Sequence, residues 1–328
     1  MSDQSHTPLL AVRNLLVEFP TRGGALFPVN DVSFSMVAGE ILGIVGESGA
    51  GKSMMGGAII GLLEPPGRIA GGQILLEGER IDNLSRVALG RIRGRKIGLV
   101  PQDPLTSLNP LFTIGEQLVQ TIRTHRDISE KMARDRALEL LAQVGIPAPD
   151  RRIDQYPHQF SGGMRQRVVI ALALCAGPKL VIADEPTTAL DVSIQAQIID
   201  VLKRMCRDHG AAIILITHDM GVIAETADRV AVMYAGRLAE IGPVRAVVRE
   251  PSHPYTRGLM SSIPKVGRKH ERLAQIAGAM PRLTEIPAGC AFHPRCPIAF
   301  DRCSVERPEL MVANASRAAC WLYSGSSA

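Results

Sequence analysis

The sequence predicts an α/β fold built on a mainly parallel sheet covered on both faces. Three observations carry this. Short apolar runs of buried-strand type recur along the chain as "ILGIVG", "KLVIADEP" and "AAIILITHD". Helical text separates them, and a glycine-rich turn directly follows the first. With 328 residues, 46% of them hydrophobic, the chain is long enough for two domains and a sizeable core.

The elements follow in order. "LLAVRNLLVEF" and "VNDVSFSMVAGE" are rich in Val, Leu and Phe and read as strands, with the glycine-bearing turn "TRGGALFP" between them. "ILGIVG" is a buried strand, and a helix, "SMMGGAIIGLL", follows the glycine-rich turn. "LVPQD" closes another strand. The texture changes around "LTSLNPLFTIGEQLVQTIRTH", and residues 128–144 have apolar residues at helical spacing, which reads as a helical insert. Strand texture returns at "KLVIADEP" and "AAIILITHD", with the helix "IQAQIIDVLKRMCRDHG" between them. After about Glu250 the text turns Pro-rich and irregular, which places a boundary between residues 1–250 and 251–328.

The net charge of +5 comes from no long basic block, and the short cluster "GRIRGRKIG" reads as a solvated face. The start has no basic segment leading into an apolar one, so no secretory signal is expected. No apolar run reaches membrane-spanning length, about 18 residues. The thiols are therefore expected in a reducing compartment, where clustered cysteines suggest metal more than disulfides.

"GESGAGKS", residues 46–53, fits G-x-x-x-x-G-K-S/T between a strand and a helix. Gly46, Gly49 and Gly51, with Glu47, Ser48 and Ala50, let backbone N–H groups curl around phosphate oxygens at a helix N-terminus. Lys52 reaches the β- and γ-phosphates, and the Ser53 hydroxyl ligates Mg²⁺. "KLVIADEP" ends in two carboxylates at the carboxyl end of its strand, where ligands gather in α/β sheets. Alternation aims Asp184 and Glu185 in different directions. Asp184 suits Mg²⁺ through water, and Glu185 suits polarisation of an attacking water. His218, after "ILIT", could touch the γ-phosphate and that water. Gln102 could orient the water, sense the γ-phosphate or join the Mg²⁺ sphere.

"FSGGMRQR", residues 160–167, lies upstream of "LVIADEP" and in order with Gln102, "TALD" and His218. Together these motifs closely resemble the ATP-binding-cassette ATPases, with Phe160 for Leu and Met164 for Gln in the L-S-G-G-Q signature. The resemblance covers about residues 9–250. It implies a P-loop NTPase (RecA-like) core with an antiparallel β region and a helical signature subdomain. It also implies a head-to-tail dimer around two ATP molecules, in which Ser161, Gly162 and Gly163 serve the partner's ATP. Thr188 to Asp191 corresponds to the loop linking the two sites. Phe19 matches the position of an adenine-stacking aromatic, and reads equally as a core residue.

"PSHPYTRGLMSSIP", residues 251–264, resembles a segment of the ATPases that serve oligopeptide, dipeptide and nickel importers. The Cys/Pro-rich end resembles the same subfamily. This implies a chain on the cytoplasmic face of a bacterial (inner) membrane, joined to a second ATPase subunit. The subfamily favours a heterodimer, and the chain's own complete motifs allow a homodimer. It further implies two transmembrane permease subunits and a solute-binding protein. Cargo stays open between peptides, nickel, glutathione and other small solutes. A nucleic-acid-associated ATPase of the same cassette type is the distant alternative, and it lacks the coiled-coil or zinc insert or second cassette usual in that class.

Cys290, Cys296, Cys303 and Cys320 follow the spacing Cys-x5-Cys-x6-Cys-x16-Cys. Four thiolates can hold an iron–sulfur cluster or Zn²⁺, or the four can be reduced thiols in a small C-terminal lobe. The resemblance favours a 4Fe–4S cluster. Cys175 and Cys206 lie in core text and are excluded as ligands.

Overall fold

In the computed structural model the described residues are 8–188, 191–262 and 276–324. Their strands, in chain order, are β1 (Leu10–Thr21), β2 (Gly24–Met36), β3 (Ile41–Val45), β4 (Arg68–Leu76), β5 (Glu79–Arg80), β6 (Ile97–Val100), β7 (Leu180–Asp184), β8 (Ala212–Ile216), β9 (Arg229–Tyr234), β10 (Arg237–Pro243), β11 (Met311–Ala313) and β12 (Ser316–Ala318). The chain folds as two compact units. One holds the described residues of Met1–Met36, Ile41–Asn83 and Thr217–Ala328, and the other Val37–Glu40 and Leu84–Ile216.

In the first unit, β1 pairs antiparallel with both β2 and β4, and β5 closes onto β4. The β1–β2 turn is tighter than the sequence suggests. "GALFP" belongs to β2, and only residues 22–23 separate the strands. The inward face carries Leu10, Val12, Leu15 and Val17, all essentially inaccessible, against Val29, Val32 and Met36. The same unit pairs β3 parallel with β9, then β9 with β10 and β10 with β12 antiparallel. The parallel strand β3 is apolar throughout because both its faces are covered, and Gly43 admits Ile223 of the Met220–Thr226 helix where a Cβ would collide.

The C-terminal segment is anchored by one buried carboxylate. Glu240 on β10 is fully buried and accepts from Ser252 N (2.9 Å), His253 N (2.9 Å) and Ser316 Oγ (2.7 Å). Three donors on one carboxylate satisfy a group that would otherwise be costly to bury. Burial also pulls His253 down to about 4, so its neutral ring accepts from Tyr255 N at Nδ1, 3.0 Å away.

The second unit carries the parallel ladder β6–β7–β8, in the register Val100↔Ala183 and Asp184↔Ile216. Its helices include Ile114–His125, Glu130–Gln143, Gly162–Leu174 and Val192–Asp208. The expected insert is present, with Ser129 as N-cap accepting from Met132 N. A helix that the sequence reading passed over precedes it. Thr113 and Glu116 form a reciprocal capping box at its start, and Ile114, Leu118 and Ile122 bury one stripe. Among the described residues no helix is long and apolar enough to cross a membrane.

Candidate nucleotide site

In the first unit, the buried strand β3 delivers the chain into residues 46–51, and the Lys52–Ile60 helix begins immediately after. Two glycines are required by space as well as by dihedral. Gly46 has φ 154° and Gly51 φ 99°. A Cβ at Gly51 would run into the Pro28 carbonyl oxygen, and one at Gly46 into that of Met233. Gly236 N donates to Ala50 O (3.0 Å), so the loop is tied to the β9–β10 turn. Lys52 is only 5% exposed, and its ammonium donates to Gly46 O (2.8 Å) and Glu47 O (3.1 Å). Ser48, Gly49 and Ser53 are exposed around it. The loop thus presents backbone amides, a helix start and a lysine held by the loop's own carbonyls, which is the equipment for a polyphosphate.

Two tyrosines and an arginine that the sequence reading did not single out hold this loop from the far end of the chain. The Arg295 guanidinium forks onto Glu47, at 2.8 Å to Oε2 and 2.9 Å to Oε1. Tyr255 Oη accepts from Glu47 N at 2.9 Å, and Tyr234 Oη accepts from Arg295 at 3.3 Å. The carboxylate beside it raises Arg295 above the ordinary guanidinium range, and burial raises Tyr255 above the phenol range.

His218 is exposed and lies between buried Thr217 and Asp219, whose carboxylate caps the Met220–Thr226 helix at Gly221 N (2.7 Å) and Val222 N (3.2 Å). Phe19 is half-buried on β1, and its ring lies where a Cβ at Gly67 would collide.

In the second unit the register of β6 with β7 brings Gln102 and Glu185 to the same level, each two residues beyond the pair Val100↔Ala183. Gln102 Nε2 donates to Glu185 Oε2 (3.2 Å), and Thr188 Oγ1 donates to the same oxygen (2.8 Å). Strand alternation is not what aims Glu185. The strand stops at Asp184, and Glu185 takes φ 45°, in the left-handed region, with its N–H donating to Ile216 O at 2.9 Å. A non-glycine residue held there costs about 1–3 kcal/mol, and such positions cluster at functional sites. Asp184 is half-buried at the strand's carboxyl end.

The signature residues start the 13-residue Gly162–Leu174 helix. Ser161 is its N-cap and, like Gly162, is exposed, while Phe160 is buried just before it. A Cβ at Gly163 would press on Ile194, so a small residue is needed there. Met164, where the signature has Gln, takes a contact from Arg152 at 3.8 Å to its sulfur. Asp191 is exposed at the start of the Val192–Asp208 helix with no side-chain capping bond, and the preceding Ala189 and Leu190 of "TALD" lie outside the described residues.

The four tail cysteines belong to the first unit and line one cavity of about 20 Å³, together with Phe292, Ile298, Phe300 and Trp321. All four are free thiols. Burial and the neighbouring thiols push Cys290 up to about 11. Among the described residues no group of three or more Cys, His, Asp or Glu stands in a geometry that holds a metal ion. The four thiols converge on this cavity, which apolar side chains also line. Cys175 and Cys206 are buried in the second unit, as expected.

Comparison with known proteins places this arrangement. Residues 29–188 match the family model described as ABC transporter, and residues 239–303 the one described as Oligopeptide/dipeptide transporter, C-terminal region. The dipeptide transport ATP-binding protein DppD of Bacillus subtilis is 47% identical over 316 residues, covering 96% of this chain and 94% of that protein. The oligopeptide transport ATP-binding protein OppD of Haemophilus influenzae is 46% identical, covering 96% and 97%. Among solved structures, a dimeric post-hydrolysis state of the ATP-binding cassette MJ0796 bound to ADP and Pi superposes with a TM-score of 0.64 at 29% identity, covering 72% of this chain and 99% of that one. The structure of cbiO1 from Clostridium perfringens, part of the ABC transporter complex cbiONQ, gives 0.65 at 28%, covering 75% and 92%. The chain belongs to the ABC transporter ATPases, in the branch that carries the oligopeptide/dipeptide transporter C-terminal region.

Proposed function

We propose that the chain hydrolyses ATP to drive peptide uptake through a membrane-embedded importer. The observation that carries this is the pairing of a complete nucleotide motif set with a C-terminal region of the peptide-transporter type, in one chain at 46–47% identity to dipeptide and oligopeptide transport ATP-binding proteins. Residues 1–250 form the ATPase module and residues 251–328 the importer-type appendage. Lys52 and the amides of residues 46–53 bind the phosphates. Ser53, Gln102 and Asp184 hold Mg²⁺. Glu185 activates water, His218 attends the γ-phosphate, and Phe19 stacks on adenine. When bound, Mg²⁺ offsets phosphate charge, and positioning with electrostatic stabilisation supplies most of the rate.

Ser161, Gly162, Gly163 and Asp191 act on the ATP of a second ATPase subunit, with a heterodimer favoured. The exposure of Ser161 and Gly162 at a helix N-terminus supports a role on an anion that another subunit brings. Permease subunits dock on residues 103–113, a reading supported by three large apolar side chains left exposed there, Leu105 (62%), Leu111 (79%) and Phe112 (44%). This seats the chain on the cytoplasmic face of the inner membrane. The four tail cysteines hold a 4Fe–4S cluster, with Zn²⁺ as the alternative, a reading supported by four free thiols on one cavity, the donor set of both.

Reconstitution with the neighbouring permease and binding-protein genes tests the reading. ATP-dependent uptake of labelled di- and tripeptides supports it. Uptake of nickel or glutathione with no peptide uptake overturns the cargo. Iron and sulfide analysis after anaerobic purification tests the cluster, and protein with neither metal nor sulfide removes it.

A further inference from the structure

The Arg295–Glu47 pair joins residues 248 apart, and it does so on the phosphate loop itself. Every nitrogen of the guanidinium is committed. Nε donates to Ala277 O (2.9 Å), Nη2 to Gly278 O (3.2 Å) and Glu47 Oε1, and Nη1 to Tyr234 Oη and Glu47 Oε2. The Tyr234 and Phe292 rings lie under it at 5.8 and 5.9 Å. The Arg295 side chain is 7% exposed and that of Glu47 27%. A fork fixed on its own side by two carbonyls and two rings presents a pre-set geometry to its carboxylate.

Glu47 is gripped at three points: its carboxylate by Arg295, its N–H by Tyr255 Oη, and its carbonyl by Lys52. Met280, from the same C-terminal segment, lies against Gly49. We propose that Arg295 is a positioning residue of the ATP site, so that the C-terminal segment is part of the nucleotide-binding machinery. It acts in two ways. It fixes the backbone whose carbonyls hold Lys52, and it neutralises a carboxylate next to the place where a polyphosphate binds. Without Arg295, Glu47 would stand there as an unpaired negative charge, in a partly buried setting where screening is weak.

The test is MgATP binding by the purified full-length chain, measured by isothermal titration, with Arg295→Gln, Glu47→Gln and the double variant. Arg295→Gln should raise the MgATP Kd about ten-fold, a change of about 1.4 kcal/mol. Adding Glu47→Gln should recover most of that loss, because it removes the stranded charge. In the assembled transporter, Arg295→Gln should raise KM for ATP and leave kcat within about two-fold. A wild-type Kd for Arg295→Gln overturns the proposal, and so does a double variant as weak as the product of the two single effects. If the glutamine variant does not fold, Arg295→Lys carries the test, since it keeps the charge and loses the fork. A rise in Kd of about three-fold then supports the proposal, and an unchanged Kd overturns it.

Discussion

Gln102 and Thr188 both donate to one oxygen, Oε2, of Glu185, at 3.2 and 2.8 Å. The carboxylate is thereby turned by two neutral groups while its backbone sits at φ 45°. Glu185→Gln should keep MgATP binding and lower turnover by at least about a hundred-fold, the usual size of a general-base contribution. Single-turnover hydrolysis in the assembled transporter reads this directly. A wild-type rate would remove Glu185 as the base.

Gln102→Ala deletes one of those two donors. Turnover should fall about ten-fold, with MgATP affinity changed by less than about three-fold, because the group orients the carboxylate and bears no charge of its own. Parallel kcat and Kd measurements separate the two effects. A loss confined to Kd would leave Gln102 its Mg²⁺ role and remove its role in orienting Glu185.

Ser161→Arg should block the exposed start of the Gly162–Leu174 helix. If the serine serves the other subunit's nucleotide, as proposed, the isolated chain should bind MgATP as before while the assembled transporter loses nearly all its ATPase activity. Equal loss in both measurements would contradict action in trans.

Glu240→Ala leaves Ser252 N, His253 N and Ser316 Oγ without their shared acceptor in a buried place. Stability should fall by about 3 kcal/mol or more. Urea unfolding followed by intrinsic fluorescence measures it. A loss under about 1 kcal/mol would mean the network contributes little.

Burial pushes Cys175 up to about 11 and Cys206 up to about 12. Because the thiolate is the reactive form, neither should be modified by a maleimide in the native chain at pH 7–8. Raising the pH toward 9 should not change this, as both thiols remain protonated there. Mass spectrometry of labelled peptides checks it, and labelling of either cysteine before unfolding would contradict the burial.

Much of this site could be read from the sequence because it is local. The phosphate loop needs glycine at Gly46 and Gly51 for reasons of space, and the lysine and serine that follow are adjacent in the chain. Strands β3, β7 and β8 are covered on both faces, so they appear as unbroken apolar text. The misreadings have equally physical origins. Alternation assumes an extended backbone, and Glu185 leaves it. The Ile114–His125 helix follows a stretch of turn formers that hides its start, although Thr113 and Glu116 spell its capping box. β11 and β12 are three residues each, too short for any period to register. The Arg295–Glu47 pair carries no sequence signal at all, since neither residue's neighbours specify a partner 248 positions away.

The short hairpin of β11 and β12 lies along the outer side of β10, with Glu240 opposite Ala318 and Ile241 opposite Arg317. Its two strands are brief, yet they occupy amides and carbonyls of β10 that would otherwise be open. A fragment ending near residue 250 would lose Tyr255 and Arg295 from the phosphate loop and would also carry β10 with a bare flank. Such a flank is a template for stray chains. The hairpin therefore covers an edge of β10 that would otherwise stand open to pairing with other chains.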